Sequence, residues 1–481
     1  MSTYQSLIAG ELREGGGPSR EIENPTTGET GAVVRDASEA DLDASVAAAA
    51  RASVSWSGRT YADRADVLRA IAIGIEGRAV ELADALVAEV GKPITEARGE
   101  AAGAAGFFRY AASLLETLTD EIRYTRNPGE RLINQRRPHG VVAAIIPWNY
   151  PAALVSRKIA PAIAAGNGVV LKPDEKTPTA ALIIAEVLAA ADLPKGLISI
   201  VCGGRDTGAY LVDHPGTDYI TMTGSPAAGK AILAAAAPRV KPVSLELGGK
   251  APFIVLGDAD VAVAAEAAVR SRHSNNGQVC IAAERVYVHD SVYEAFLEEY
   301  TRRVGALVVG DPREEATQIG PKISALELGK SVSAVEAALA EGAQLRLGGG
   351  RPAGALFERG HWMSPTVLSQ VDDSMRVMRD ETFGPVTPVA RFQGWDDLVA
   401  RANDTHYGLS AYVYTANLER AMDAMDHLDF GEVFINRTGP EELNGFHTGY
   451  RESGLGGDDG PHGLDSYFRK QSVYLNRMPT T

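Results

Sequence analysis

The segment Gly140-Val141-Val142-Ala143-Ala144-Ile145-Ile146-Pro147-Trp148-Asn149-Tyr150-Pro151 begins a texture that persists to the middle of the chain. Val141 to Ile146 is an apolar run of strand length. Small residues at helical spacing follow over Ile159 to Ala165, then an apolar strand at Val169 to Leu171 and an apolar helix at Thr179 to Ala191. Strands at Ile198 to Val201, Tyr219 to Met222 and Val243 to Leu245 continue the alternation, with helices at Thr207 to His214 and Ala227 to Ala236 between them. Short apolar strands separated by helices are the pattern of a parallel sheet covered on both faces, so the predicted fold class is α/β.

Upstream, the Ala-rich stretch from Ala37 to Arg78 and its continuation from Ala79 to Thr119, broken at Gly91-Lys92-Pro93, predict a set of amphipathic helices. Downstream, a second alternating block opens at Pro252-Phe253-Ile254-Val255 and reaches about Phe434. Its strands are predicted at Arg285 to Val288 and Val386 to Arg391, its helices at Val292 to Val304 and Ser324 to Glu341. A chain of 481 residues exceeds what one core supports. The break at Gly248-Gly249 divides it into one domain of residues 1–121 with 138–248 and a second of 249–445. Ile122 to Arg137 and Phe468 to Asn476 are β-like, polar on alternate positions, and fit neither block; such strands need a partner edge, so residues 122–137 and 466–481 form a third element.

Composition narrows the function classes. Apolar residues make up 45% and charged residues 23% of the chain, as in ordinary globular proteins. A net charge of −15, with Lys and Arg never in blocks, argues against nucleic acid or an anionic membrane as partner. Two cysteines, Cys202 and Cys280, build no disulfide framework, and neither a signal segment nor an apolar run of about 18 residues is present, so a cytoplasmic protein is expected. Cys202, after the apolar run Leu197 to Val201, reads as a small buried side chain.

Cys280, in Asn276-Gly277-Gln278-Val279-Cys280, is the candidate nucleophile. A thiolate attacks an aldehyde carbon readily when its setting favours ionisation. Gly277 permits a tight turn and Gln278 offers an amide. The oxyanion so formed needs fixed donors; Asn149, at the carboxyl end of a predicted strand, supplies a side-chain amide, with helix capping as its alternative use. Glu246, ending the strand Val243 to Leu245 and followed by Gly248-Gly249, suits the activation of a water that clears a thioester. No His lies near these motifs in sequence, which makes a Glu base the expectation. A hydride acceptor is also required. Ser225, at the start of a helix after Tyr219 to Met222, offers an anion site for a pyrophosphate. Lys172 and Glu175 can bond the two hydroxyls of an adenosine ribose, where the carboxylate repels a 2′-phosphate and favours NAD over NADP. Glu381 and Phe383, in Asp380-Glu381-Thr382-Phe383-Gly384-Pro385, suit the nicotinamide ribose and ring.

In order and spacing these motifs resemble the NAD(P)-dependent aldehyde dehydrogenase superfamily from about Tyr4 to Leu475. The resemblance implies a Rossmann-like coenzyme domain, a catalytic α/β domain and a bridging β arm that docks on another subunit of a homo-oligomer, a dimer or tetramer. It implies Cys280 as nucleophile, Glu246 as base and Asn149 as oxyanion donor. For NAD it implies contacts at Ile145, Pro147, Trp148, Lys172, Glu175, Gly204, Ser225, Gly248, Glu381 and Phe383, and it implies no metal. Within the superfamily the chain is most similar to lactaldehyde and glycolaldehyde dehydrogenases, through Cys280 to Val288 and the C-terminal run Ser453 to Gly460. In that subgroup Arg157, Glu441 and His447 match pocket residues, so a small hydroxylated or anionic aldehyde is the expected substrate. Ile281 stands where the subgroup has a polar Asn, which leaves room for a semialdehyde bound through Arg157. A cysteine esterase using Cys280 and Glu246 is the alternative from another class.

Overall fold

The computed structural model describes residues 4–477; Met1 to Thr3 and residues 478–481, at the ends of the predicted first domain and third element, lie outside the described residues. Five parallel strands form the centre of an eight-stranded sheet, in the spatial order Val243–Glu246, Tyr219–Thr223, Val141–Ile145, Gly168–Lys172 and Ile198–Ile200. Chain order runs outward both ways from Val141–Ile145 and reverses between it and Tyr219–Thr223. The crevice at the carboxyl ends beside that reversal is where open α/β sheets take ligands.

Two differences from the sequence reading arise here. The strands Ser6–Ile8 and Glu11–Arg13 extend one edge of this sheet, antiparallel to Ile198–Ile200, and Ser19–Asn24 pairs with Glu29–Arg35 as a separate ribbon. These early strands are short or half-exposed and carry no long apolar run. The helix expected from Ile159 instead spans Pro151–Ala164. Pro151 is preset for a helix's first turn, and Glu100 of the neighbouring helix Ile94–Thr117 accepts from the backbone of Ala152 (2.9 Å) and Ala153 (3.3 Å), capping it from outside. Arg157 and Lys158 interrupt the apolar pattern but lie buried in ion pairs.

The predicted N-terminal helices are Glu39–Ser57, Tyr61–Glu76, Ala79–Val90 and Ile94–Thr117. Ser38 with Asp41 and Thr60 with Asp63 close the first two with capping boxes. Their apolar faces share a core with Pro151–Ala164; Trp56 is fully buried there and donates its indole N–H to Ile163 O at 2.7 Å.

A second, seven-stranded sheet runs Gln344–Leu347, Thr366–Ser369, Val386–Phe392, Ala283–His289, Ala251–Val255, Ser410–Tyr414, Glu432–Ile435, parallel except at its first strand. After Ile435 the chain returns to the first sheet: His447 bridges Asp458, and Gly454–Leu455 pairs antiparallel with Val243–Glu246. Glu121–Tyr124, Glu130–Pro138 and Phe468–Asn476 form a three-stranded antiparallel arm with Ile122, Tyr124, Tyr474 and Leu475 exposed. Among the described residues no helix is long and apolar enough to cross a membrane, and no group of three or more His, Cys, Asp or Glu side chains is arranged to hold a metal ion.

Candidate active site

Cys280 follows a turn of unusual backbone. After the helix Val261–His273, Asn275, Asn276 and Gly277 take φ values of 47°, 56° and 72°, three left-handed residues in succession. Such geometry costs of order 1–3 kcal/mol per non-glycine residue and persists only where surroundings enforce it. Here Glu96 accepts from Asn275 N at 2.8 Å, and the side-chain amides of Asn275 and Asn276 donate to Asn149 O (3.0 Å) and Gly320 O (2.8 Å). At Gly277 a Cβ would lie 2.4 Å from Gly384 O, so close approach as well as φ demands glycine. Gln278 does not offer its amide to the sulfur: it is buried, donating to Asn275 O and accepting from Ile323 N, and so braces the turn. Gly249 passes close on the other side, where a Cβ would meet Cys280 O at 2.5 Å.

Asn149 lies past the end of Val141–Ile145 and does not cap the following helix, whose N-cap is Tyr150. Its Nδ2 donates to Gln278 O at 3.0 Å, tying the two sheets together beside Cys280, while its Oδ1 has no partner. Lys92, ion-paired with Glu100 and 3.4 Å over the Tyr150 ring, donates to Asn149 O at 3.1 Å.

Glu246 ends its strand fully buried, with neither carboxyl oxygen hydrogen-bonded. Burial pushes its carboxyl up to about 8 against the pull of His447, whose Nε2 stands 3.5 Å from Oε2. A histidine absent from the local sequence is therefore present in space. His447 Nδ1 is 3.0 Å from Glu432 and 4.0 Å from Glu441, and its ring also hydrogen-bonds Cys280. Burial works against the imidazolium, but Glu432, Glu441 and Glu246 outweigh it and hold His447 well above its ordinary range. Burial likewise raises the partly exposed Cys280 thiol, with His447 opposing. The resting sulfur is thus a thiol rather than the expected thiolate, because the walls that desolvate it outweigh the neighbouring cation.

Arg157 is buried, with Nε 3.0 Å from both Asp459 oxygens and Nη2 on Asp459 and, at 2.5 Å, on Glu441. Burial opposes the charges of both Arg157 and Glu441, yet Asp459 and Glu441 hold Arg157 well above its ordinary value, and Arg157 with His447 holds Glu441 down at about 2. Lys158 pairs with Asp458 at 2.6 Å, fully buried, and both act on Glu246. Arg157, Lys158 and His447 thus face Glu246, Glu432, Glu441, Asp458 and Asp459, three cations against five carboxyl groups. Lys158, Asp458, Asp459 and Glu432 were not anticipated; the signal was Arg157-Lys158 inside an otherwise apolar helix. Ile281 is buried and packs toward Gly439, where an added Cβ would touch its Cδ1 at 2.7 Å.

On the opposite side, half-buried Ile145, Pro147 and Trp148 follow one another at the switch point of the first sheet. Trp148 meets Phe383 edge-on at 5.4 Å. Glu381 folds onto Gly248-Gly249, accepting from Gly249 N at 3.0 Å, and burial pushes it up to about 8. A Cβ on Gly248 would lie 2.3 Å from Glu381 Oε2. Glu284 holds the Thr382 and Phe383 amides at 2.8 Å, so Phe383 keeps a left-handed φ of 47°. Lys172 donates to Pro173 O (2.8 Å) and Gly203 O (3.0 Å). Glu175 lies against Gly204, which starts the helix Arg205–Asp213; exposed Ser225 N-caps Pro226–Ala236, accepting from Ala228 N at 3.3 Å. Two helix N-termini for phosphates, with a lysine and two carboxylates for ribose hydroxyls, fit a dinucleotide.

The aldehyde dehydrogenase family model matches residues 13–473. A 3,6-anhydro-α-L-galactose dehydrogenase of Streptomyces coelicolor is 45% identical over 98% of this chain and 96% of its own length. The lactaldehyde dehydrogenase of Escherichia coli is 40% identical over 95% of each chain. A solved 3,6-anhydro-L-galactose dehydrogenase in complex with NAP superposes with a TM-score of 0.96 at 40% identity, covering 99% of this chain and 100% of that one. With the family model matching nearly the whole chain and relatives of 40–45% identity covered almost end to end, the chain belongs to the aldehyde dehydrogenase family.

Proposed function

We propose that this protein catalyses the NAD-linked oxidation of a neutral, hydroxyl-bearing aldehyde of the lactaldehyde or anhydrosugar kind to its carboxylate. One observation carries the choice of substrate: Arg157, the cation expected to seize an anionic substrate, is already neutralised by Glu441 and Asp459 in a pocket where carboxyl groups outnumber cations. An incoming carboxylate would find Arg157 already committed and would be desolvated beside ionised Glu441, whereas hydroxyl groups find acceptors in plenty. The names of the similar enzymes support the same class.

The Cys280 sulfur attacks the aldehyde carbon as its proton passes to ionised Glu246. The oxyanion accepts from the second N–H of Asn149 Nδ2 and from Cys280 N. Lys172, Glu175, Ser225 and Glu381 would hold the NAD, which would supply the hydride acceptor. Glu246 then gives the Cys280 proton up to solvent and takes one from the water that adds to the Cys280 thioester, the acid leaving as the sulfur regains a proton; an unbonded buried carboxyl at about 8 is tuned to exchange protons in this way near neutral pH. Residues up to 248, without the arm, are assigned to coenzyme and 249–445 to catalysis, and the exposed arm residues to contact with a second subunit.

The test compares kcat/KM for L-lactaldehyde, glycolaldehyde and 3,6-anhydro-L-galactose with that for succinic semialdehyde, using Cys280→Ala as control. At least a tenfold preference for the neutral aldehydes is expected, roughly the effect of one unfavourable charge contact. A preference for the semialdehyde refutes the substrate reading, and ester cleavage without aldehyde oxidation refutes the reaction.

A further inference from the structure

We propose that Arg20 is a coenzyme-selectivity residue that lets the ribose corner accept a 2′-phosphate despite Glu175. The inference rests on the coenzyme site assigned above and goes beyond it, since Arg20 comes from the N-terminal ribbon strand Ser19–Asn24 and belongs to none of the motifs that define the crevice.

Its guanidinium is held as a fork on Asp36, with Nε to Oδ1 at 3.0 Å and Nη2 to Oδ2 at 2.5 Å. That grip leaves Nη1 turned toward Glu175, 3.5 Å from Oε2. The same corner contains Gly204, where an added Cβ would lie 2.7 Å from Glu175 Oε2 and 3.2 Å from Arg20 Nη2. Arg20 and Glu175 are each about one-third exposed (31% and 39% by side chain), so both are open to an incoming group. Lys172 is committed to Pro173 O and Gly203 O and is buried.

A lone carboxylate at a ribose excludes a phosphate by repulsion. Glu175 is not alone. Its charge is offset by a fixed arginine whose position is set by Asp36 and whose third nitrogen faces Glu175. A guanidinium is suited to phosphate oxygens, which it binds with directed, charge-assisted bonds. With a plain ribose, Glu175 accepts from the hydroxyls. With a phosphorylated one, Glu175 turns toward solvent and Nη1 takes a phosphate oxygen. Glu175 then favours NAD, as its charge implies, without excluding NADP from the same corner.

Calorimetric binding of 2′,5′-ADP and 5′-ADP to the full-length protein separates the effects of the 2′-phosphate from the rest of the site. Arg20→Gln is expected to weaken 2′,5′-ADP roughly 10- to 100-fold, as loss of a charge-assisted contact does, and 5′-ADP by no more than about threefold. Arg20→Lys recovers part of the loss, and Glu175→Gln strengthens 2′,5′-ADP; unchanged thermal unfolding of Arg20→Lys shows that the Asp36 contact survives. Equal losses for both nucleotides, or none for 2′,5′-ADP, overturn the role of Arg20 alone. Failure of the unaltered protein to bind 5′-ADP overturns the coenzyme site and the proposal with it.

Discussion

Replacing His447 with Gln removes the cation that stands nearest Glu246 among the described residues and also acts on Cys280. The imidazolium lies 3.5 Å from Glu246 and hydrogen-bonds Cys280. At an effective dielectric constant of about 20, two unit charges at that distance attract by about 5 kcal/mol, an upper bound. Glu432 and Glu441, at 3.0 and 4.0 Å from the same ring, return much of that to His447's own balance. A net effect of roughly 1.4 to 3 kcal/mol on each acid, one to two pH units, is the working figure. The sign is the same for both: each is an acid pushed up by burial, Glu246 to about 8, and each is pulled down by His447. Loss of the cation moves both upward. The NAD-linked rate of the unaltered enzyme is expected to rise through about pH 8, and the variant's limb to sit one to two pH units higher, with roughly 10- to 100-fold less activity at pH 7 and a similar plateau in alkali. Alkylation by iodoacetamide gives a second reading on the sulfur alone, because burial pushes the other cysteine, Cys202, up to about 12 and out of reaction. A limb that stays in place while the plateau collapses would refute the electrostatic reasoning and leave His447 a substrate-positioning group.

Two further outcomes test the framework of the site. Arg157→Ala leaves Glu441 and Asp459 buried without their shared cation and is expected to cost about 3–5 kcal/mol in urea unfolding; restoration of most of that stability by the added change of Asp459 to Asn would show that the cost is the orphaned charge. Gly277→Ala forces a left-handed alanine against Gly384 O, costing about 1–3 kcal/mol for the backbone alone. Near-normal stability with unchanged Cys280 alkylation would mean that the turn is not enforced.

The alternation from Gly140 onward announced the α/β fold because parallel strands buried on both faces must be nearly continuous apolar runs, a property of neighbouring residues. The strand ends and turn that carry Cys280, Glu246 and Asn149 were legible for a related reason: each has a local signature of Gly or Pro. Tertiary structure alone decided their environment. The return of the chain after Ile435 delivers His447, Asp458 and Asp459 to Glu246 and Arg157, and the ribbon strand brings Arg20 to Glu175. Coulomb and desolvation energies depend on distance and burial, not on separation along the chain, so which carboxyl holds its proton, whether the sulfur rests as a thiol and which arginine is already neutralised were settled only when the two sheets closed on one another.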